Sequence, residues 1–296
     1  AVDRPIIIVG TGRCGSTMLH RVLALHEDAG WLSTFNEVFP TQHWLSSFSN
    51  LYRARGLSRK IRHLTAFPKP FECYRFWEHY LPGFSRRERP QTPEDVEDER
   101  IEPVRRAIAS VLRWQRRSRL VAKVTGWSRM AYFDRIFPDA RFVWLNREHR
   151  SVVSSWVKAG WLDVTSGLDE DSWQWGDVPT RYEELWRTLG GGPLLSAALK
   201  IKLDLDDIRH NASLLPGRCI KIEYEDLTRN PMTAVRSICE FVDLPWTTAF
   251  ARRVAAIPMY DTTNKWRKHM TEEEGDLILD FFRRAEMERP VSAPVG

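Results

Sequence analysis

The sequence lacks any apolar run close to the roughly 20 consecutive residues that a membrane-spanning helix requires. Its first apolar stretch starts near Pro5 and already ends at Gly10. That stretch is too short for a signal peptide, and its flanking residues do not suit one. These absences predict a chain without a membrane span.

Cysteine is scarce, with four residues at positions 14, 73, 219 and 239. No two of them form a C-x-x-C pair, which argues against a zinc ribbon or a thioredoxin-like motif. No spacing of His, Asp and Glu suggests metal ligands, so no metal is predicted. Nothing in the cysteine pattern demands an oxidising compartment, and a cytoplasmic location is expected.

A large charge imbalance is also missing, because 44 Lys and Arg face 39 Asp and Glu for a net charge of +5. This moderate basic excess attracts anions in general. The chain has no basic block interleaved with aromatics, as a single-strand platform would, so nucleic acid is not a predicted partner. The hydrophobic share of 43% and the charged share of 28% are typical of a folded globular protein.

Four short apolar runs rich in β-branched residues predict buried strands, at Pro5–Val9, Leu120–Val124, Arg141–Leu145 and Cys219–Ile222. Helical patterns occur at Ser16–His26, Val104–Arg117, Ala131–Phe137, Val152–Lys158, Thr180–Asn211, Pro231–Val242 and Thr271–Ala285. Buried strands that alternate with helices predict a three-layer α/β/α fold around a mostly parallel sheet. We expect a single domain over residues 1–296.

Residues 32–103 are rich in aromatic side chains but show no clear period, which predicts an insert of helices and loops. Within it, the polar and proline-containing stretch 85–103 predicts an exposed connection or mobile lid. Four tryptophans crowd together further along, at Trp156, Trp161, Trp173 and Trp175. Ordinary packing is the first explanation for this cluster, and a ligand-binding wall is the second.

Residues Gly10–Thr17 (GTGRCGST) follow a predicted buried strand and precede a predicted helix. Glycine-rich turns in this position present backbone N–H groups to an anion. The spacing Gly10-x4-Gly15 matches the front of a Walker loop, yet Ser16 stands where a nucleoside triphosphatase needs lysine. The loop carries its cation at Arg13 instead. The pattern predicts a phosphate-binding loop, with a ligand-free structural turn as the alternative.

The run Arg13-Cys-Gly-Ser-Thr17 resembles the 5′-phosphosulfate loop of sulfotransferases, which often reads R-S-G-[ST]-T. The resemblance, to bacterial, cytosolic and tyrosylprotein members, implies 3′-phosphoadenosine 5′-phosphosulfate as the donor and adenosine 3′,5′-bisphosphate as the product. It assigns donor binding to Gly12, Arg13, Cys14, Gly15, Ser16 and Thr17. Cys14 departs from the common serine, and its place near a helix start predicts a lowered thiol pKa.

Two later stretches resemble the same family. Arg147 follows the third predicted strand, and Ser155 lies eight residues further on, as in the family's 3′-phosphate site. Lys123, near the end of the second predicted strand, is similar to the lysine that steadies the bridging oxygen of the transferred sulfuryl group. Cytosolic members carry a catalytic histidine two positions later, where this chain has Thr125.

The run YEDLTRNP, which begins at Tyr224, is similar to a family segment that places the tyrosine beside the adenine. A late basic stretch implies three more donor-binding residues, Lys265, Trp266 and Arg267. The implied catalytic residues are Arg13, Lys123 and Glu37. Glu37 falls where tyrosylprotein and several bacterial members place a glutamate base, and His43 and His26 are weaker candidates for that role.

The resemblance implies an enzyme that moves a sulfuryl group to a hydroxyl or amine of a small-molecule, glycolipid or natural-product acceptor. The aromatic insert at 32–103 would bind that acceptor, whose expected character is apolar or ring-bearing. Two alternatives stay open. One is a P-loop kinase-like phosphotransferase, against which the missing Walker lysine argues. The other is a catalytically inactive module that binds the bisphosphonucleotide only.

Overall fold

A sheet of five parallel strands forms the centre of the computed structural model, in which residues 2–53, 67–161, 167–168 and 173–287 are described. The strands are β1 (Ile6–Gly10), β2 (Ala29–Gly30), β3 (Arg119–Thr125), β4 (Arg141–Asn146) and β5 (Cys219–Glu223). Their order across the sheet is β2-β3-β1-β4-β5. All carboxyl ends therefore lie along one edge, where α/β sheets bind their ligands.

The four predicted strands are confirmed to within one residue at either end, and only the two-residue edge strand β2 was not predicted. β1 pairs in parallel with β3 on one side and β4 on the other. Its side chains are buried on both faces, with Ile6 and Ile8 in one apolar cluster and Ile7 and Val9 in another. Burial on both faces explains why the run is continuously apolar instead of alternating.

Twelve α-helices lie among the described residues: α1 (Ser16–Leu23), α2 (Thr34–Val38), α3 (Tyr74–Tyr80), α4 (Asp98–Gln115), α5 (Met130–Ile136), α6 (His149–Lys158), α7 (Thr180–Thr188), α8 (Pro193–Leu214), α9 (Tyr224–Arg229), α10 (Pro231–Phe241), α11 (Thr248–Ala255) and α12 (Glu272–Met287). α1 and α9 to α11 contribute to the apolar cluster around Ile6 and Ile8. α3 to α8 and α12 contribute to the cluster on the other face. The predicted three-layer α/β/α fold is confirmed.

The single helix predicted over Thr180–Asn211 is wrong, because α7 ends at Thr188 and α8 begins at Pro193. Three glycines separate the two helices, and all three have positive φ, between 65° and 93°. Glycine adopts this region without steric cost, so the run ends one helix and turns the chain. Proline then occupies the first turn of α8, where its missing N–H costs nothing.

The start of α4 was also misplaced, since the helix begins at Asp98 and not at Val104. Pro103 lies inside this helix, and proline is more often found at a helix start. The acidic first turn, Asp98 and Glu99, is the sequence feature that marks the true beginning, because negative charge suits the helix dipole there. Residues 98–103 are therefore helical, while mobility of 85–103 stays a prediction.

The predicted insert at 32–103 contains α2, α3, two 3-10 helices (His43–Arg53 and Pro93–Asp95) and the start of α4. A backbone bridge between Ser33 and Pro70 ties the start of the insert to its middle. Residues 54–66 lie outside the described part of the chain. Within that part, no helix combines the length and the apolar character that crossing a membrane demands.

Candidate active site

The loop between β1 and α1 is shaped by two residues in the left-handed region, Arg13 at φ 71° and Gly15 at φ 97°. Left-handed residues in a tight loop aim the backbone N–H groups into one concave space, which favours an anion. A Cβ at Gly15 would come within 2.6 Å of the Tyr224 ring, and one at Gly12 within 2.5 Å of the Trp161 ring. Close approach therefore requires glycine at both positions, and the positive φ of Gly15 requires it there as well.

Lys123 of β3 lies beside this loop because β3 pairs with β1, with Lys123 opposite Ile8. Its side chain is only 9% exposed. The ammonium Nζ donates to Thr17 Oγ1 at 3.1 Å and is 3.0 Å from Glu72 Oε2. A buried cation is thus fixed between the loop and a carboxylate, which compensates the cost of burying the charge.

Arg147, which follows β4, closes the other side of the loop. Its Nη1 donates to the carbonyl oxygen of Arg13 at 3.1 Å, and its Nη2 donates to Thr262 Oγ1 at 2.8 Å. The guanidinium lies over the Tyr224 ring, 4.4 Å from the ring centroid. Its buried Nε has no hydrogen-bond partner among the described residues. An unpaired buried donor of this kind marks a place for an acceptor atom.

Arg13 points along the loop toward α6, where its Nε donates to Ser155 Oγ at 2.8 Å. The guanidinium also lies over Trp161, 5.5 Å from the ring centroid. The three separate stretches identified in the sequence therefore converge through direct contacts. Parallel strand ends produce this convergence, because β1, β3 and β4 all finish at the same edge of the sheet.

A cavity of about 540 Å³ opens at this edge. Eight of the predicted site residues line it, namely Arg13, Gly15, Ser16, Thr17, Lys123, Arg147, Ser155 and Tyr224. Nine further residues line it, and they include the titratable side chains of His20, Arg21, Lys69 and Glu72, which were not predicted as donor-site residues. The wall carries five cations (Arg13, Arg21, Lys69, Lys123 and Arg147) against one carboxylate, as expected for a cavity that binds a polyanion.

The comparisons with known proteins agree with this geometry. A profile described as "Sulfotransferase family" matches residues 5–248. The chain belongs to the sulfotransferase family. Among solved structures, sulfotransferase STF9 from Mycobacterium avium matches with a TM-score of 0.56 and 15% identity, over 96% of this chain and 77% of that one.

Sulfotransferase STF1 from Mycobacterium tuberculosis H37Rv matches with a TM-score of 0.52 and 16% identity, over 95% of this chain and 77% of that one. At such identities the two structures support the fold of this sulfotransferase and nothing finer. A search of curated protein sequences found no significant match.

Cys14 of this sulfotransferase is buried beneath the loop. Its Sγ lies so close to Gly10 that a Cβ added to Gly10 would be 2.8 Å from the sulfur. The expected lowering of its pKa is wrong. Burial raises the pKa of the thiol and outweighs the hydrogen bonds from Ser16 and the charge of Lys123. The thiol therefore stays protonated, and Cys14 lines neither this cavity nor its neighbour.

Glu37 lies on α2 and lines neither this cavity nor its neighbour. Its Oε2 accepts a hydrogen bond from the backbone N–H of Arg75 at 3.0 Å, so the carboxylate ties α2 to the first turn of α3. The structure places Glu72 at the cavity wall instead. Glu72 lies in an aperiodic part of the insert, where the sequence carried no motif that could have identified it.

Lys265, Trp266 and Arg267 belong to a 3-10 helix, Thr263–Lys268, that does not line the cavity. The Trp266 ring is 1% exposed and packs against Gly275 and the Arg150 guanidinium. Thr262, the residue just before this helix, contacts two residues of the cavity wall, because its hydroxyl hydrogen-bonds Arg147 and Tyr224. The late segment thus reaches the site through Thr262.

His20 of α1 also lines the cavity beside the loop and is fully buried. Its Nε2 lies 3.1 Å from the carbonyl oxygen of Val121, which can only accept, so this nitrogen carries the proton. Burial, reinforced by the charge of Lys123, lowers the pKa of His20 to about 3. The ring is therefore neutral under ordinary conditions and adds no charge to the site.

A second cavity of about 670 Å³ adjoins the first, and Glu72, Thr125 and Trp161 line both. Its aromatic lining residues are Tyr74, Trp127, Trp156, Trp161 and Trp175. Of the four clustered tryptophans, Trp156, Trp161 and Trp175 therefore form a cavity wall. Trp173 does not line the cavity; its ring packs on Trp175, 5.2 Å between ring centroids.

A larger cavity of about 750 Å³ lies at the opposite edge of the sheet, around Arg119 at the start of β3. It is lined by mixed charges, including Arg4, Asp28 and Asp243. The amino ends of parallel strands are not where α/β proteins bind their ligands. The two joined cavities at the carboxyl edge are the candidate active site.

Proposed function

We propose that this sulfotransferase moves the sulfuryl group of 3′-phosphoadenosine 5′-phosphosulfate to a hydroxyl or amine of a ring-bearing small-molecule, glycolipid or natural-product acceptor. One observation carries the proposal. The Lys123 ammonium lines the phosphate-loop cavity and is fixed between Thr17 and Glu72, and Glu72 also lines the aromatic cavity. A buried cation paired with a residue that both cavities share suits transfer of an anionic group from one cavity to the other.

The donor fits the residues of the first cavity. The loop amides and the hydroxyls of Ser16 and Thr17 would hold its 5′-phosphosulfate end. Arg147 and Ser155 would hold the 3′-phosphate, and the unpaired buried Nε of Arg147 supplies a donor for it. Tyr224, whose ring already stacks against the Arg147 guanidinium, would lie by the adenine.

The donor supplies a sulfuryl group on a good leaving group. A bond forms between the acceptor oxygen and sulfur as the bridging S–O bond breaks, and its electron pair stays on the phosphate oxygen of the bisphosphate product. Lys123 has three N–H groups and uses two, on Thr17 and Glu72, so one is left for the charge that develops on the bridging oxygen. Arg13 adds a second cation to the wall of the same cavity.

The second cavity would hold the acceptor. Aromatic side chains line much of this cavity of about 670 Å³, beside the cations Arg86, Arg87, Arg129 and Lys200, and aromatic walls bury ring-bearing molecules well. Trp156 is fixed in this wall because its Nε1 donates to the carbonyl oxygen of Gly12 at 2.8 Å. The acceptor wall is thus tied directly to the phosphate loop, and the two substrates would meet at Glu72, Thr125 and Trp161.

Titration calorimetry with adenosine 3′,5′-bisphosphate tests the donor site. We expect metal-independent binding by the wild-type protein, weakened about 10- to 100-fold in Arg147→Ala and in Arg13→Ala, because each removes charged hydrogen bonds. Arg236→Ala is the matched control, since Arg236 is exposed on α10 and pairs only with Glu240. Binding of ATP–Mg in place of the bisphosphate would support a kinase-like phosphotransferase instead. A protein that binds the bisphosphate but consumes no sulfated donor would be a catalytically inactive binding module.

A further inference from the structure

Glu72 is held rigidly just before α3. The backbone N–H of its neighbour Phe71 donates to the carbonyl oxygen of Leu32 at 3.0 Å. The carbonyl oxygen of Glu72 itself accepts from Trp77 Nε1 at 3.1 Å. Because the backbone is fixed on both sides, the side chain has a defined direction toward the sheet edge.

Two residues of β3 bind the Glu72 carboxylate. Its Oε1 accepts from Thr125 Oγ1 at 2.7 Å, and its Oε2 is 3.0 Å from Lys123 Nζ. The side chain is 19% exposed, so part of it remains open to the cavities. A carboxylate has about four lone-pair directions, and these contacts use two of them. One acceptor position stays available on each oxygen.

The other titratable groups near the reacting edge are unsuited to accept a proton. Burial and the charge of Lys123 lower the pKa of His20 to about 3, so its ring resists taking up a proton, and its Nε2 already donates to the carbonyl oxygen of Val121. Burial raises the pKa of Tyr74 to about 12, so this hydroxyl stays protonated, and it donates to the carbonyl oxygen of Thr125. Glu37 lines neither cavity, and its Oε2 accepts from the backbone N–H of Arg75. Among the described residues, Glu72 is the acid that lines both cavities.

We propose that Glu72, and not Glu37, is the residue that takes the proton from the acceptor. This role rests on the proposed function. As the acceptor oxygen bonds to sulfur, its hydroxyl proton passes to a carboxylate oxygen of Glu72, and it is later lost to solvent. Lys123 bonds to Glu72 and faces the donor, so one cation orients the base and neutralises the leaving group. The same ion pair thus couples the two halves of the reaction.

The test compares Glu72→Gln with Glu37→Gln, a matched pair of isosteric changes on the same insert. Each variant is assayed for release of the bisphosphate from the sulfated donor with 2-naphthol, with 4-nitrophenol and with water as acceptors at mildly alkaline pH. 4-Nitrophenol is largely ionised there and needs no base, whereas 2-naphthol and water do. Glu72→Gln should lower turnover of 2-naphthol by about 100-fold or more and of 4-nitrophenol by less than about 10-fold.

Calorimetry with the bisphosphate and thermal unfolding accompany the assays. We expect Glu72→Gln to stay folded and to bind the bisphosphate, with a lowered unfolding temperature because the buried Lys123 loses its ion-pair partner. We expect Glu37→Gln to keep its wild-type preference between the phenols. An equal loss with both phenols would overturn the assignment, because it would indicate positioning alone. So would a selective loss of 2-naphthol turnover in Glu37→Gln. Wild-type protein that binds no bisphosphate, or consumes no donor with any acceptor, would contradict the proposed function itself.

Discussion

The donor cavity and the acceptor cavity are built in different ways. The donor side consists of short stretches that are contiguous in sequence, each at the end of a central strand, and eight residues predicted from motifs line it. The acceptor side gathers single side chains from separate parts of the chain, such as Tyr74, Trp127, Trp175 and Lys200. Backbone geometry makes the first side, and side-chain packing makes the second.

The contacts within each side show the same difference. In the loop, glycines are required because a Cβ at Gly15 would strike the Tyr224 ring. In the acceptor wall, Trp127 is fixed by long-range contacts, with its Nε1 donating to the carbonyl oxygen of Arg87 at 2.7 Å and Lys200 Nζ 3.8 Å from its ring centroid. Phosphate binding therefore leaves a local signature in sequence, whereas acceptor recognition does not.

The largest effect should come from Lys123, which lines the donor cavity and pairs with Glu72, a residue that lines both cavities. Lys123→Ala should lower turnover by about 10²- to 10³-fold, because it removes a buried cation aimed at the leaving group. Steady-state assays with the sulfated donor measure this. Lys221→Ala, at an exposed lysine of β5 paired with Glu223, serves as the control. A loss confined to bisphosphate affinity would show that Lys123 belongs to the donor side alone.

A change in the loop backbone should damage the donor side next. Gly15→Ala adds a Cβ that would lie 2.6 Å from the Tyr224 ring, at a φ of 97°. Strain of about 1–3 kcal/mol should weaken bisphosphate binding by roughly 10- to 100-fold in calorimetry. Gly217→Ala is the matched control, since its φ is 71° but nothing lies within 4 Å of its added Cβ. Equal effects of the two variants would refute a specific role for the loop.

Truncation of the acceptor wall should give a smaller and differently placed effect. Trp175→Ala should raise the KM for 2-naphthol by about 10-fold, because a large aromatic contact is lost. Bisphosphate affinity should stay the same. Trp114→Ala, at an exposed tryptophan of α4, controls for loss of the ring itself. A fall in bisphosphate affinity as large as the rise in KM would contradict the distinction between the donor side and the acceptor side.

The smallest effect concerns stability. Burial lowers the pKa of His20 to about 3 and of His149 to about 4, from an ordinary value of 6.5. The folded protein keeps both rings neutral while the unfolded chain protonates them, so the free energy of unfolding should fall as pH drops from about 6.5 toward 4. Urea unfolding at several pH values measures this loss.

His149→Phe should flatten that pH dependence, since a phenyl ring keeps the stack on Phe282, whose centroid is 3.9 Å away. His43→Phe, in the insert, should flatten it less, because His43 is only half-buried and hydrogen-bonds Tyr80. If His43→Phe flattened the pH dependence more than His149→Phe, the insert would contribute more to it than α6 does, which would contradict this expectation.

The strands, most helices and the phosphate loop could be predicted because their signals are local. Continuous apolar runs, glycine spacing and Arg13, Arg147 and Ser155 all act within a few residues of where they stand. The misplaced start of α4 had a local cause too, since Pro103 lies inside a helix that it usually would begin. Glu37 was predicted as the base from its position along the chain, and sequence position does not show which way a side chain points.

By itself, the sequence determined a parallel α/β sheet with an anion-binding loop, because strand burial and turn geometry depend on neighbouring residues. Only the tertiary structure decided which acid reaches that loop. Glu72 meets Lys123 and Thr125 across about 50 residues of chain, and the tryptophan wall closes across similar distances. Such contacts depend on how the insert packs on the sheet, and that packing sums many weak interactions that no short motif records.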